Sequence, residues 1–280
     1  MAVEIGVFVV PDAEDAQRTL DQITAADETG LDIIGVQDHP YQRRFLDTWT
    51  LLSFAAARTR RVKLVPDVAN LPLRPPAVLG KAAASLDVLS GGRVELGLGA
   101  GAFWDAIAAM GGPSRTPGES VEALEQAIAV LRAMWSGERS IRAGGRHYRV
   151  DGAHPGPCPA HDIGIWIGAY GPRMVRLTGR LADGWLPSVP RLPLEDVMPR
   201  HEAIDEAARR AGRDPSDIRR AANANLEGDP SGWADALARL VDDYRFETLI
   251  VGTDGGNDPV GLIRRIGEDV APAVRAKVGG

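Results

Sequence analysis

Short apolar runs with strand-like composition alternate with longer helical patterns along almost the whole chain, and this alternation limits the fold more than any other feature. Eight runs have the length and residue types of β-strands: 3–10, 31–38, 61–68, 93–99, 163–169, 183–188, 218–226 and 247–253. Helical patterns lie between or after them, at 15–30, 47–59, 75–92, 103–110, 118–135, 172–182, 194–211, 231–243 and 258–275. Such alternation is typical of parallel βα units. Eight units favour an α/β fold that closes into a (βα)8 TIM barrel over the alternative of an open doubly wound sheet.

The segment 136–162 interrupts this alternation. It is rich in glycine and proline and predicts a hairpin and loop before the fifth strand. Four residues that could bind zinc lie in it: His147, His154, Cys158 and His161. Their spacing matches no compact ligand pattern and includes no C-x-x-C pair, so we expect no metal site. Because the composition changes abruptly nowhere, we expect residues 1–280 to form one barrel domain.

Composition and charge exclude several classes of protein. The chain has a net charge of −6 and its longest basic run is Arg58-Thr-Arg-Arg61, which argues against a nucleic-acid-binding surface. The single cysteine, Cys158, excludes an intramolecular disulfide and indicates a reducing compartment. The first ten residues lack the charged region of a signal peptide. No apolar run reaches the roughly 18 residues of a membrane span. We therefore expect a soluble, cytoplasmic protein that has no membrane or nucleic-acid partner.

A glycine-rich stretch, Gly97 to Ala102, fits the dinucleotide fingerprint G-x-G-x-x-G/A. A Rossmann domain places this fingerprint after its first strand, with an acidic residue roughly 20 positions later. Here the glycines follow the fourth strand, and the next acidic candidates, Glu119 and Glu122, lie in a helical pattern. We therefore place these glycines at the rim of a barrel, where they allow a flat or anionic ligand to approach the backbone.

Active sites of barrels gather at the carboxyl ends of the strands, so the residues there are the candidates. Asp38 and His39 follow the second strand. The histidine suits an acid–base group and an exposed loop residue equally well. Asn70 follows the third strand, either as a hydrogen-bonding group or as a turn former. Trp104, Trp185 and Ser188 lie near the rim, where we expect the walls of a substrate pocket.

Small residues follow the fifth strand, in the stretch Gly168 to Pro172. Bare amide groups at the start of a helix bind anions, because the helix dipole and the free N–H groups both favour negative charge. An ordinary glycine turn with proline at the first helical position is the alternative.

Three motifs in order along the chain resemble those of the bacterial luciferase-like superfamily of flavin- and deazaflavin-dependent oxidoreductases. They are GVQDHP after the second strand, LPLRPPAVLGKAAASLDVLSGGRVELGLGAG across units three and four, and IGAYGPRMVRLTGRLADGWLP across units five and six. The resemblance covers most of residues 1–190, and beyond residue 190 only the barrel rhythm supports it.

The resemblance implies a TIM barrel, usually a homodimer, with a tricyclic cofactor in the mouth at the carboxyl ends of the strands. It implies a non-prolyl cis peptide bond and a bulge after the third strand, behind the ring. The cofactor-binding residues that it implies are Asp38 and His39 at the reactive edge, Ala69, Asn70 and Leu71 under the ring, Ala100 and Gly101 beside it, and Ala169, Tyr170, Gly171 and Pro172 at the ribityl phosphate.

One departure from the family pattern concerns the stretch after the fourth strand. Many deazaflavin-using members have G-T-G-E there, with the glutamate as a proposed proton donor, whereas this chain has Gly99-Ala100-Gly101-Ala102. Either His39 is then the main acid–base group, or the reaction needs no such donor, or the cofactor is FMN.

The resemblance favours coenzyme F420 over FMN, since Asp38, His39 and Asn70 are similar to those of the deazaflavin members. The expected function is hydride transfer to or from a small organic substrate, with His39 as the catalytic residue. The alternatives are an FMNH2-dependent monooxygenase on the same barrel, a hydrolase without flavin, and a non-catalytic flavin-binding protein. Four arginines near the rim are candidates to bind the anionic tail of F420: Arg43, Arg44, Arg74 and Arg173.

Overall fold

The computed structural model describes residues 3–253 and 258–279. Within them it has eleven strands: β1 Glu4–Val9, β2 Ile33–Val36, β3 Lys63–Pro66, β4 Ala69–Asn70, β5 Leu96–Gly99, β6 Ile141–Gly144, β7 Arg149–Ala153, β8 Ile165–Ile167, β9 Gly184–Trp185, β10 Arg219–Ala224 and β11 Thr248–Gly252. The same residues form ten α-helices: α1 Ala16–Glu28, α2 Thr48–Arg58, α3 Pro76–Ser90, α4 Trp104–Ala109, α5 Pro117–Trp135, α6 Pro172–Leu181, α7 Val197–Arg210, α8 Trp233–Asp242, α9 Pro259–Arg265 and α10 Ala271–Val278. A π-helical turn, Ile266–Val270, joins α9 to α10.

Nine of these strands form one parallel sheet in the order β3-β2-β1-β11-β10-β9-β8-β5-β4. β4 continues β3 after a break at Asp67 and Val68, so the nine strands occupy eight positions. The two ends of the sheet meet, because the Leu64 N–H donates to the Arg93 carbonyl (2.7 Å) and the Glu95 N–H donates to the Leu64 carbonyl (3.1 Å). The expected (βα)8 barrel is thereby confirmed.

The segment before β8 forms the expected hairpin. β6 and β7 pair antiparallel, outside the barrel. The side-chain oxygen of Gln126 on α5 accepts the N–H groups of His147 and Tyr148, at 2.7 and 3.2 Å, and this holds the hairpin against the helix. The Tyr148 hydroxyl then donates to the Leu71 carbonyl (3.0 Å), so the hairpin is tied to the segment that follows β4.

An apolar layer fills the interior of the barrel below its carboxyl-terminal mouth. Its buried members come from six of the eight strand positions: Ile33, Val65, Trp166, Leu186, Ala221 and Ile250. Phe8 and Val68 pack on this layer, and both also line the cavity above it. The layer therefore closes the mouth from below and sets the depth to which a ligand can enter.

Candidate active site

A cavity of about 650 Å³ opens at the carboxyl ends of the strands. All eight strand positions contribute to its wall, through residues that include Phe8, Asp38, Val68, Ala100, Gly168, Ser188, Asn223 and Gly252. This volume lies within the range of sites for small molecules and cofactors. The position agrees with the rule that barrel active sites lie at this end of the strands.

The floor of the cavity contains the break between β3 and β4. The peptide bond between Asp67 and Val68 is cis, which confirms the non-prolyl cis bond expected after the third strand. Glycines make room for this segment: a Cβ on Gly97 would lie 2.3 Å from the Pro66 carbonyl oxygen, and one on Gly99 2.7 Å from Val68 Cγ2. The Pro66 carbonyl therefore occupies the space beside Gly97, which does not line the cavity. Gly99 does line it, and the approach of a ligand to its backbone stays a prediction.

The Asp38 carboxylate is held by the protein rather than presented to the cavity. Its oxygens accept two hydrogen bonds from the Arg74 guanidinium, both 2.7 Å, and one from the Asn70 N–H, at 2.9 Å. Arg74 also donates to Asp47 (2.7 Å). Burial works to raise the pKa of the Asp47 carboxyl, but the hydrogen bonds from Arg74 and from the Thr50 N–H outweigh it, and the pKa is lowered. Asp38 thus fixes the position of the Asn70 segment, and Arg74 is already paired.

His39 lies in the cavity wall between two aromatic rings. Its ring stacks on Tyr41 (centroids 5.3 Å apart) and meets the edge of Phe103 (5.5 Å). The Gln37 amide nitrogen donates to Nδ1 (3.0 Å), so the neutral ring carries its proton on Nε2. Burial lowers the pKa of His39, the Asp38 charge opposes this, and the Arg191 charge adds to the lowering. The imidazole is therefore neutral at neutral pH and offers Nε2–H as a donor.

A buried carboxyl group that sequence reasoning missed lies at the floor. Asp67 is 6% exposed, and its Oδ1 accepts a hydrogen bond from the Asn223 amide nitrogen at 3.0 Å. Burial raises the pKa of Asp67 to about 7, although the hydrogen bond from Asn223 works in the opposite direction. An acidic residue at the carboxyl end of a strand pattern, beside a proline, is the signal that could have found it.

The start of α6 forms a turn suited to an anion. Gly171 precedes the helix without a side-chain cap, and no acidic residue lies in the first turn. A Cβ added at Gly171 would have no neighbour within 4 Å among the residues that the structure describes. Tyr170 is fixed on both sides, because its hydroxyl accepts the Ser188 N–H (2.9 Å) and its carbonyl accepts from the Arg200 side chain (3.1 Å). The amides of this turn are therefore open and held in place.

The structure brings ten of the predicted site residues into the wall of this one cavity: Asp38, His39, Ala69, Asn70, Ala100, Gly101, Trp104, Tyr170, Gly171 and Ser188. Four others do not line it: Leu71, Ala169, Pro172 and Trp185. Leu71 is fully buried, and its carbonyl receives the Tyr148 hydroxyl. Pro172 has no N–H and cannot donate to an anion.

The prediction that Trp185 lines the substrate pocket is wrong, and the orientation of its strand explains why. Neighbouring residues of a strand point to opposite faces, and Gly184 faces into the barrel, where a Cβ would lie 2.5 Å from the Trp166 ring. Trp185 therefore points outward, is fully buried, and meets the edge of the His201 ring of α7. Its indole N–H donates to the Ala169 carbonyl (2.9 Å), which fixes the residue before the anion turn.

The candidate tail-binding arginines divide into paired and exposed side chains. Arg74 is bound to Asp38 and Asp47, and Arg44 is bound to Asp12 at 2.9 Å, so neither is available. Arg43 and Arg173 are exposed. Arg191, which sequence reasoning missed, is exposed at the cavity wall at the end of the 3-10 turn Val189–Arg191.

Residues 3–253 and 258–279 contain neither a metal-binding cluster nor a membrane-spanning helix. No group of three or more histidine, cysteine, aspartate or glutamate side chains is placed to hold a metal ion among them. Nor does any helix in that part of the chain have the length and apolar character needed to cross a membrane.

Comparison with known proteins identifies the family. A family model described as luciferase-like monooxygenase matches residues 3–227. The chain belongs to this family. The F420-dependent glucose-6-phosphate dehydrogenase of Nocardia farcinica is 32% identical over 231 residues, which are 78% of this chain and 67% of that relative. The family inferred from the three motifs is thereby confirmed.

Two solved structures share the barrel. An F420-dependent secondary alcohol dehydrogenase, in complex with an F420–acetone adduct, has a TM-score of 0.83 at 19% identity, over 98% of this chain and 99% of the other. The oxygenating constituent of 3,6-diketocamphane monooxygenase from Pseudomonas putida, in complex with FMN, has a TM-score of 0.76 at 18% identity, over 97% and 99%. At these identities the likeness establishes the fold alone.

Proposed function

We propose that this chain is an oxidoreductase that binds coenzyme F420 non-covalently and transfers a hydride to or from a small organic substrate. The 32% identical relative is named for F420, and the motifs around Asp38, His39 and Asn70 resemble the deazaflavin members. The alternative is an FMNH2-dependent monooxygenase, because an FMN-binding monooxygenase shares the barrel.

One observation carries the proposal: an open anion turn, a polar floor and a neutral histidine all border the same cavity. The turn at Gly171 has space where a phosphate can approach the backbone amides. The floor has Asn70 Oδ1 buried without a hydrogen-bond partner among the described residues, which suits a ligand with N–H groups. The donor set therefore fits a phosphorylated, flat heterocycle.

The bound cofactor supplies or accepts the hydride, and the protein orients it and holds the accompanying proton. His39 is the catalytic residue that we propose for this proton, since its ring borders the cavity beside Tyr41 and Phe103. Burial, with a contribution from the Asp38 charge, raises the pKa of Tyr41 to about 12, so its hydroxyl stays protonated beside the imidazole. Ala102 places no carboxylate there, which leaves His39 as the acid–base group in this part of the wall.

A binding titration tests the choice of cofactor. F420 and FMN are titrated separately into the purified protein at low and moderate salt, with absorbance as the readout. We expect F420 to bind more tightly and to lose affinity with salt, because its anionic tail reaches exposed cations such as Arg191 and Arg173. Tight FMN binding with no F420 binding overturns this choice and makes the oxygen-using monooxygenase the better function. Turnover with any acceptor then separates an enzyme from a non-catalytic binding protein.

We also propose a single barrel domain that works as a cytoplasmic homodimer on a small-molecule substrate. α2 and α3 pack together and expose large apolar side chains, with Phe54 55%, Val78 68% and Leu89 82% exposed. Such a surface favours association with a second copy. Sedimentation at micromolar concentration should give a dimer that Leu89→Glu converts to monomer, and a wild-type monomer contradicts this assembly.

A further inference from the structure

The Asp67 carboxyl group occupies a place that the rest of the barrel is shaped to accommodate. Gly35 on β2 faces it, and a Cβ there would lie 2.8 Å from Asp67 Oδ2 and 3.1 Å from Ile250 Cγ2. Any larger residue at position 35 would displace the carboxyl group. Asn223 on β10 holds the other oxygen, Oδ1. Two strands, β2 and β10, therefore fix the acidic side chain that follows β3 at the floor of the cavity.

The polar atoms of this floor lack partners. Asp67 Oδ2, Asn70 Oδ1 and Asn223 Oδ1 are all buried and have no hydrogen-bond partner within residues 3–253 and 258–279. An unpaired buried polar atom is destabilising, so native proteins nearly always give such atoms a hydrogen-bond partner. All three residues border the cavity. A ligand with both hydrogen-bond acceptors and donors on one edge would satisfy this set.

Within the described part of the chain, no ion pair holds the charge of Asp67. Gly35 on β2 and Asn223 on β10 face its carboxyl group, and both are uncharged. Five other titratable or charged groups share the cavity wall: Asp38, His39, Tyr41, Tyr170 and Arg191. None of them contributes to the pKa of Asp67, which burial raises to about 7. At mildly acidic pH the group is therefore a carboxylic acid with an O–H to donate.

We propose that Asp67 recognises the cofactor ring as a neutral hydrogen-bond donor. Its carboxylic acid O–H donates to a carbonyl or nitrogen acceptor of the pyrimidinedione edge, while the amide oxygens of Asn70 and Asn223 accept from ring N–H. The contact is lost when the carboxyl group ionises, so cofactor affinity falls as the pH rises. This inference rests on the proposed function, since it needs a flavin or deazaflavin in the cavity.

Cofactor titrations from about pH 6 to about pH 9 test this role with three proteins: wild type, Asp67→Asn and Asp67→Ala. In the wild type, ionisation near pH 7 should weaken affinity about tenfold by pH 8 and about a hundredfold by pH 9. Asp67→Asn keeps an N–H donor that does not titrate, so its affinity at pH 6 should be near that of the wild type and nearly constant. Asp67→Ala should bind weakly throughout. Ionisations of the cofactor itself are common to all three proteins and cancel in the comparison.

Calorimetry gives a second readout, independent of turnover. Binding at about pH 8, measured in two buffers of different ionisation enthalpy, should show proton uptake by the wild type and less uptake by Asp67→Asn. Identical pH profiles for these two proteins, or an Asp67→Ala variant that binds as tightly as Asp67→Asn, overturn the proposal. Absence of F420 and FMN binding to the wild type at every pH instead overturns the proposed function, and this inference with it.

Discussion

Replacing Asp67 by asparagine should stabilise the protein without cofactor, and more strongly as the pH rises. The pKa of Asp67 is about 7 in the folded protein, against 3.8 for an unperturbed aspartate. The unfolded chain therefore releases this proton at lower pH than the folded chain, and stability is lost as the pH rises from about 4 to about 7. A shift of roughly three units, at about 1.4 kcal/mol per unit, amounts to about 4 kcal/mol above pH 7.

Asparagine removes this loss because it never ionises, and its side-chain oxygen still accepts the hydrogen bond from Asn223. The assay is urea unfolding of both proteins, free of cofactor, at several pH values from about 5 to about 8. The difference in the free energy of unfolding should grow by about 1.4 kcal/mol per pH unit and then level off above pH 7. Asp242→Asn, an exposed site on α8, is the control for removing a carboxylate elsewhere. A difference that does not change with pH, or a less stable Asp67→Asn protein at pH 8, refutes the reasoning.

Three further predictions concern histidines. His39→Ala should lower turnover by about 10²–10⁴-fold, since acid–base groups contribute that much. It should change the free energy of cofactor binding by only about 1 kcal/mol. Turnover equal to that of the wild type would show that His39 has no catalytic role. Arg191→Gln should raise the pKa of His39, measured by NMR, because the arginine charge lowers it. His201 has its pKa lowered to about 4 by burial and by the Arg220 charge, so about 3 kcal/mol of stability should be lost as the pH falls from about 6.5 to about 4. In His201→Gln the free energy of unfolding should fall less over this pH range. If it falls as much as in the wild type, other groups cause the loss.

The barrel was predictable because each strand carries its own local signal. Apolar β-rich runs, helix-ending glycines and helix-starting prolines repeat around the chain, and the structure places a strand within every predicted run. His39 could be placed at the rim for the same reason, since it follows the run that forms β2. The local sequence pattern therefore predicted the fold and the end of the barrel at which the site lies.

Contacts between strands could not be predicted from the local sequence pattern. The bulge at the end of the run 61–68 was implied by the family resemblance and not by the apolar pattern of the run. The structure interrupts the strand at Asp67 and Val68, and Val68 packs against Gly97 and Gly99, about 30 residues along the chain. Trp185 was assigned to the pocket by its nearness to the rim, whereas the inward orientation of Gly184 turns it outward. Such orientations depend on which neighbour fills the barrel interior, and a single strand does not specify that.

Two glycines of the cavity should respond to substitution in different ways. In Gly99→Ala the new methyl group meets Val68 Cγ2 at 2.7 Å. A β-branched side chain has little freedom to move aside, so we expect a loss of about 1–3 kcal/mol in stability, together with weaker cofactor binding because Val68 lines the cavity.

Gly171→Val offers the matched case, because the space beside Gly171 is empty and its φ of −76° is ordinary for any residue. Its stability should stay within about 0.5 kcal/mol of the wild type. The valine side chain would nevertheless cover the amides at the start of α6, and cofactor affinity should fall at least about tenfold, since charge-assisted hydrogen bonds contribute about 1.5–3 kcal/mol. Thermal unfolding and cofactor titration of both variants measure the two effects separately. If Gly171→Val binds the cofactor like the wild type while remaining folded, the phosphate lies elsewhere in the cavity and the assignment of the turn is wrong.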